Sequence, residues 1–518
     1  MKINRNVEAI IVTLLYLTCL YFWTLPIQNN PIPYGEVDAA SHYSIADYTY
    51  ESDRSITTLP YYIDMRYGKA NKFREHVLWY PPSFHTSLAI AAVFGGESDV
   101  PIFLANAILC SLIVLAVYFI MRRFFGFEAA LISGIMLIFS MRDIMIYLWG
   151  QWPERMGFAY LPLILYCFYK YCTTYLKGEN KPIYLYLMSL FLVINLFIHP
   201  MDFFHSIAAL IIIGLFFLIK ERKIFFNIKH VFIAIVLFLL IVSMFPLQSM
   251  NVIVRLRTDK GDSAAVGDLS RLVYWFKPQL DNPGVPQSYF FYKPMIGPYW
   301  TIPLLLLGIL FLLLRRNKKD LVMLGWLVSL YIMIHLDVIG KGRVHRSLSG
   351  TTHIFYPLIV LGLLYLISLI PKINGYKNII KYGLITSFIV FIFISIGIAA
   401  NTSLKGAYTG ISRLNPHQYE FTRWAMENIP EDAEMYHVGS ISLAKSRWMW
   451  MVSQRFVGNY PDHSLDDYNI SYIIIDYSDF AAVGHQDGLN LVQSWEQNLI
   501  NNTKLYDKEL IKVYEFEN

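Results

Sequence analysis

Residues 8–26, EAIIVTLLYLTCLYFWTLP, carry one charge at their start and none after it. Residues 33–48, PYGEVDAASHYSIADY, follow at once with Glu36, Asp38, Asp47 and His42. The first stretch is long enough to cross a bilayer, since a spanning helix needs about 20 mostly apolar residues. The second is too polar to enter one. Together they read as a span that hands over, at a membrane face, to a group of ionisable side chains. Lys2 and Arg5 before the apolar run resemble the start of a signal peptide, but no small-residue cleavage site precedes the polar loop. The run is therefore expected to remain as an uncleaved first span.

The rest of the chain is made of the same material. It has 518 residues, 55% hydrophobic and only 16% charged, against about 25% charged in an ordinary soluble domain. Apolar windows fall near 8–26, 103–121, 124–141, 157–172, 183–198, 203–219, 230–247, 298–314, 320–336, 352–370 and 382–400. The reading is an α-helical polytopic membrane protein with about 11 transmembrane helices over residues 1–400. Residues 84–95 are apolar but too short to cross, and read as re-entrant or interfacial. The net charge of +5 is too small to suggest nucleic acid as a partner. Cys19, Cys110, Cys167 and Cys172 all lie within or beside apolar runs and outline neither a disulfide framework nor a zinc site.

Lysine and arginine crowd one set of loops, MRRFFG (121–126), LKGENKP (176–182), IKERK (219–223), LRRNKKD (314–320) and PKINGYKNIIKYG (371–383). The positive-inside rule makes that side, and the N-terminus, cytoplasmic. An odd number of spans then puts residues 401–518 outside, together with a first external loop over about 27–83. The Asn-x-Ser/Thr tripeptides at Asn401, Asn469 and Asn501 fall on that same side. The tail itself alternates helix and strand. Asn415-Pro416 reads as a helix start and Pro430 as its stop. YNISYIIIDYSDF (468–480) reads as a buried strand, LNLVQSWEQNLINN (489–502) as a helix, and the last fourteen residues as a hairpin. A small extracytoplasmic α/β domain is expected.

The spans carry almost no charge, whereas transporters and pumps place ionisable groups at mid-membrane. Here they gather at the external ends, in four places. In the first, Asp38 and His42 share a face if the segment is helical, Glu36 lies on another, and Trp79 and Tyr80 belong to the same loop. Asp38 reads either as a carboxylate favoured by a helix N-terminus or as a general base held at the bilayer surface. The second is MRDIMIYLWGQWPERMG (141–157), with Arg142, Asp143, Glu154 and Arg155. Its Trp149 and Trp152 read as interfacial anchors, and Glu154-Arg155 as either a helix start or part of a site. The third is IHPMDFFH (198–205), where His199, Asp202 and His205 could ligate a metal but at a spacing that also suits a proline-broken helix junction. The fourth is HLDVIGKGRVHRSLSGTTHIFYP (335–357). Its Lys341, Arg343, His345, Arg346 and His353 run against the positive-inside expectation, which a lipid phosphate held by arginine forks would explain, as would contact with anionic headgroups.

Several stretches together resemble the GT-C superfamily of membrane glycosyltransferases. GEVDAASHY (35–43) looks like the first-loop acidic segment, and YPPSFHTSLAIAAVFGG (80–96) is similar to the apolar stretch before the second span. FTRWAMENIPEDAEMYHVGS (421–440) looks like the opening of the soluble domain in archaeal oligosaccharyltransferases, and YNISYIIIDY and LIKVYEFEN suit that domain as well. Where those enzymes carry Trp-Trp-Asp-Tyr-Gly, this chain reads YHVGSISLAKSRWMWM (436–451), without the acid.

The resemblance implies transfer of a sugar from a polyprenyl- or dolichyl-phosphate donor to a glycan, lipid or protein acceptor on the outer face of the membrane, with inversion. Asp38 would be the base, with His42 and Glu154 as further catalytic groups. Arg343, Arg346, His345 and Arg155 would hold the donor phosphate, and Glu36, Trp79, Tyr80 and His199 would contact substrate. A divalent metal, magnesium or manganese, is left open. An oligosaccharyltransferase using a metal at Asp38 and a second acid is the alternative, and a lipid-linked glycan flippase or membrane scaffold is the non-enzymatic one.

Overall fold

In the computed structural model, residues 4–51, 83–246, 267, 269–273, 291–339, 344–370, 377–406, 413–439, 442–461, 464–465 and 469–516 are described. The helices are, in order, α1 (Arg5–Trp23), α2 (Leu25–Asn29), α3 (Val37–Glu51), α4 (Ser83–Gly95), α5 (Asp99–Phe124), α6 (Phe127–Ile138), α7 (Met141–Trp149), α8 (Trp152–Leu176), α9 (Ile183–Ile198), α10 (Pro200–Glu221) and α11 (Ile228–Met244). They continue as α12 (Tyr292–Met295), α13 (Thr301–Arg315), α14 (Lys318–Ile334), α15 (Leu336–Ile339), α16 (Val344–Leu348), α17 (Thr351–Ser368), α18 (Lys377–Ile392) and α19 (Ile398–Lys405). The tail adds α20 (Pro416–Asn428), β1 (Glu434–Val438), α21 (Leu443–Ser453), β2 (Phe456–Asn459), β3 (Ile470–Asp476), α22 (Ser478–Val483), α23 (Gln486–Asn498), β4 (Lys504–Lys508) and β5 (Ile511–Glu515).

Every apolar window expected from the sequence coincides with a helix. Their lengths differ, however. Among the described residues five helices are long and apolar enough to cross a membrane, or six if the bent pair α6–α7 is one span. Windows 183–198, 230–247 and 298–314 are apolar helices of 15 to 17 residues. At 1.5 Å per residue such helices reach about 22–26 Å, short of the roughly 30 Å hydrocarbon core. The 13-residue α4 is shorter still.

The chain divides into two compact units. The first comprises residues 1–23, 108–146 and 153–402. Its tightest helix contact pairs α13 with α17. Gly308 faces the carbonyl of Leu358, and Gly362 faces that of Leu304, so closely that a Cβ on either would overlap the opposite backbone. Small residues permit such approach where lipid supplies no hydrophobic drive between helices. α9 and α11 pack through Val193, Leu196 and Phe197 against Phe238, Ile241 and Val242, and Ser189 Oγ donates to the Ala234 carbonyl at 2.7 Å. That bond satisfies a hydroxyl that lipid could not.

The second unit comprises residues 24–107, 147–152 and 403–518. It combines the tail with α3, α4 and the turn after α7. α20 starts where expected. Asn415 caps it, the Gln418 side chain returns a bond to the cap residue, and Pro416 takes the first position. The sheet order is β2-β1-β3-β5-β4, with β2, β1 and β3 parallel and β5 and β4 antiparallel. β3 lies at the centre, and its Ile473, Ile474 and Ile475 are buried, as suits a strand covered on both faces. His437 Nε2 lies 3.0 Å from Asp476 Oδ2, which also accepts from Gln418 Nε2 at 2.7 Å. β1, β3 and α20 are thereby tied together.

Candidate functional site

In the first unit a polar centre forms where α7, α8, α10 and α17 begin. Ser140 accepts from the Asp143 backbone N–H at 3.3 Å, which sets Asp143 in the first turn of α7. Its carboxylate is paired with Arg155, lies 2.9 Å from His353 Nε2, and accepts from the Thr352 hydroxyl at 2.6 Å. Asp143, Arg155 and His353 are all fully buried. The Arg155 guanidinium also rests over the Trp23 ring, 5.2 Å from its centroid. A buried ion pair is tolerable only when its charges are met by partners; histidine and threonine meet the Asp143 carboxylate and the indole faces the guanidinium, while Arg155 Nε and Nη2 have no hydrogen-bond partner among the described residues.

Beside it, Arg346 Nη1 of α16 lies 3.1 Å from Glu154 Oε2 of α8. The Glu154 side chain is 1% exposed and that of Arg346 is 19% exposed, so the arginine is the member of the pair that reaches open space. One turn beyond Glu154, Gly157 makes room for its neighbours, because a Cβ there would run into Asp202 Oδ2 and Asn195 Oδ1. His199 is the N-cap residue of α10, Pro200 takes the first position, and Asp202 sits in the first turn. His199 Nδ1 and Asp202 Oδ2 are 3.2 Å apart. Phe158 packs edge-on against both His205 and His353, at 5.5 and 5.3 Å.

In the second unit the segment quoted at the outset is a helix start held by a clamp. Gly35 has φ +113°, a left-handed conformation that favours glycine, and its carbonyl accepts from the Trp448 indole at 2.6 Å. The Glu36 N–H donates to the Leu148 carbonyl at 2.9 Å. Tyr34 and Tyr147 share a hydroxyl bond of 2.6 Å. Gly150 lies so close to Ala39 that a Cβ would strike its backbone. Asp38 occupies the first turn of α3 and is partly exposed, and Glu36, just before it, is also partly exposed. His42 is buried, with Nδ1 2.8 Å from His85 Nε2 and the two rings stacked at 5.1 Å. The Trp152 ring lies 6.3 Å from that of His42.

Further along α3, Gln454 Nε2 lies 3.2 Å from Asp47 Oδ2 and 3.5 Å from Glu51 Oε2. Arg423 Nη1 is 3.5 Å from Glu51, and Asp99 accepts from the Tyr43 and Tyr419 hydroxyls. Burial, and then the neighbouring Glu51 carboxylate, push Asp47 up to about 7.

The structure brings Glu154 and Arg346 together and puts Arg155 on Asp143. It gives His42 a histidine partner that sequence spacing did not point to. Trp79, Tyr80 and Arg343 lie outside the described residues, as does the side chain of His345. His85 sits in a stretch noted only for its apolar character, 43 positions from His42, and no local spacing links the two. Among the described residues no group of three or more His, Cys, Asp or Glu side chains is arranged to hold a metal ion. The described residues alone thus outline no divalent-metal site, and no step is assigned to a metal.

A family model described as "Family of unknown function (DUF6541)" matches residues 4–352. No curated protein matches the chain by sequence. Three solved structures share its fold at low identity. The oligosaccharyltransferase of Archaeoglobus fulgidus, in its apo form, is 14% identical with TM-score 0.58, over 94% of this chain and 72% of that one. ArnT from Cupriavidus metallidurans, bound to undecaprenyl phosphate, is 10% identical with TM-score 0.57, over 99% and 98%. The arabinofuranosyltransferase AftD from Mycobacteria is 12% identical with TM-score 0.52, over 99% of this chain and 42% of that one. All three are GT-C glycosyltransferases. The chain belongs to the DUF6541 family and has the GT-C fold.

Proposed function

We propose that this protein is a membrane glycosyltransferase that moves a sugar from a lipid-phosphate donor to an acceptor hydroxyl at the outer membrane face. The observation that carries the reading is the Glu154–Arg346 pair. It is a partly exposed guanidinium anchored by a buried carboxylate at the end of apolar helices, in a fold shared with an enzyme solved with undecaprenyl phosphate. The inference from fold to activity is an analogy. The site supplies the chemistry: a partly exposed cation at the ends of apolar helices suits a lipid phosphate as leaving group.

In the reaction, the acceptor oxygen forms a bond to the anomeric carbon as the bond from that carbon to the donor phosphate oxygen breaks. The bonding pair leaves on the lipid phosphate, which Arg346 stabilises electrostatically. The resemblance of the first-loop segment, rather than any distance, assigns the hydroxyl proton to Asp38 as general base. A single displacement inverts the anomeric carbon. Arg155, committed to Asp143, positions the centre rather than touching phosphate. Trp448 is fully buried with its indole bonded to Gly35. The segment where oligosaccharyltransferases carry their tryptophan motif is thus spent on packing here, which favours transfer of a single sugar over glycan transfer to protein sequons.

The test is turnover in proteoliposomes with polyprenyl-phosphate-linked sugars and a membrane extract as acceptor source, following release of polyprenyl phosphate. The wild-type protein is expected to release it. Arg346→Ala should weaken donor binding by about 1.5–3 kcal/mol, the worth of a hydrogen bond to a charged group. Wild-type protein that releases no lipid phosphate from any such donor would remove the proposal.

A further inference from the structure

A second charged site lies in the first unit, at the other end of α1 from the polar centre. Trp23, the last residue of α1, stacks under Arg155. Arg5, its first residue, lines a cavity of about 1030 Å³ between α1 and α5. Eighteen steps of helix at 1.5 Å separate the two, about 27 Å, close to the thickness of a hydrocarbon core. The cavity therefore opens at the opposite membrane face from the Arg155 centre.

Its polar wall holds Arg5, Arg122 and Arg123 against a single carboxylate, Glu8. Glu8 is taken by the Arg122 fork at 2.5 and 2.7 Å and by the Tyr118 hydroxyl at 3.0 Å. Two guanidinium groups remain beyond that pairing, an excess of positive charge at the mouth of an otherwise apolar space. Val12 and Leu115 form part of the apolar wall. The remaining face of α1 is also uncovered: Val7, Ile10, Leu14, Leu17 and Tyr21 are 48–60% exposed. Their spacing of three and four residues makes one continuous stripe along the helix, on the side of α1 away from the cavity, which suits a helix that faces lipid there.

We infer that this cavity binds the phosphate headgroup of an anionic membrane lipid, in the leaflet opposite the proposed sugar-transfer site. Arginine forks match phosphate oxygens, and basic pockets between membrane helices are suited to anionic headgroups. The apolar wall of Ala9, Val12, Leu115 and Phe119 accommodates the start of the acyl chains, which a free phosphate lacks. The inference does not depend on the proposed activity.

The purified protein is incubated with phosphatidylglycerol, with phosphatidylcholine and with inorganic phosphate, and read by native mass spectrometry and by its melting midpoint. Phosphatidylglycerol is expected to be retained and to raise the midpoint, while the other two do neither. Arg5→Gln combined with Arg123→Gln should lower retention roughly ten- to hundred-fold, from the usual worth of charge-assisted hydrogen bonds. Arg122 is kept because it anchors Glu8. The charge-preserving pair Arg5→Lys and Arg123→Lys should retain phosphatidylglycerol, which separates lost charge from lost folding. Equal retention of phosphatidylcholine, or undiminished binding by the glutamine pair, would show an apolar filling without headgroup recognition. Inorganic phosphate stabilising as well as the lipid would show a soluble-anion site. Either result overturns the inference.

Discussion

At the scale of single residues, the charged groups fall into two kinds of setting. Asp143 and Arg155 are fully buried and paired with each other, and removing one would strand the other, a loss of about 3–5 kcal/mol in comparable pairs. Among the described residues no cation is paired with Asp47. It is fully buried, accepts from Gln454 and stands near Glu51, and it ionises only near pH 7. Its folded value lies above the ordinary 3.8, so the folded state holds a proton that the unfolded state has already released. Stability from this group is complete below about pH 4 and declines as pH rises toward about 7. Melting midpoints recorded between pH 4 and pH 8 should fall over that window. Asp47→Asn, which keeps the shape and cannot ionise, should flatten the decline. An unchanged slope in the variant would assign it to other groups.

At the scale of elements, the α13–α17 crossing rests on two glycines facing backbone carbonyls. Gly308→Leu should force the pair apart and cost about 1–3 kcal/mol, the usual penalty for overpacking. Gly383→Leu on α18 has open space around the position and should stay within about 0.5 kcal/mol of wild type. Equal melting midpoints for the two variants in detergent would show that the crossing carries no such load. Elements of this kind are legible in sequence to very different degrees. Long apolar runs announce the long helices of the first unit, because burying them needs nothing beyond apolar neighbours, but not the short α7, α12, α15 and α16, which no apolar window marks. The start of α20 was equally plain, since Asn415, Pro416 and Gln418 act locally. Span lengths were less so: Ile228–Met244 stops three residues short of its window because helix ends are set by capping and packing rather than by hydropathy. Partner choice was hidden altogether. His42 meets His85, and Glu154 meets Arg346, across 43 and 192 positions, and a pattern read over a dozen residues cannot reach that far.

At the scale of the whole molecule, the account depends on sidedness. From the basic loops the N-terminus is expected inside and the C-terminal residues outside, the side assigned to the proposed sugar transfer. Asn469 is exposed, and the four native cysteines are buried, so Asn469→Cys offers one accessible thiol. An impermeant maleimide should label it in intact cells. Labelling that requires lysis would invert the topology and move the proposed reaction to the other face.

The proposed reaction gives Asp38 the acceptor proton in a sugar transfer from a lipid phosphate. The turnover rates of Asp38→Asn and Glu36→Gln beside wild type, in the same proteoliposomes with saturating donor, test that role. Asp38→Asn should lose about 10²–10⁴-fold, the usual contribution of general-base catalysis. It should still bind donor and melt like wild type, and should not recover at higher pH, because the amide cannot accept a proton. Glu36→Gln should remain close to wild type. Full activity in Asp38→Asn with a dead Glu36→Gln would contradict the assignment of the base, and full activity in both would contradict a catalytic role for this loop.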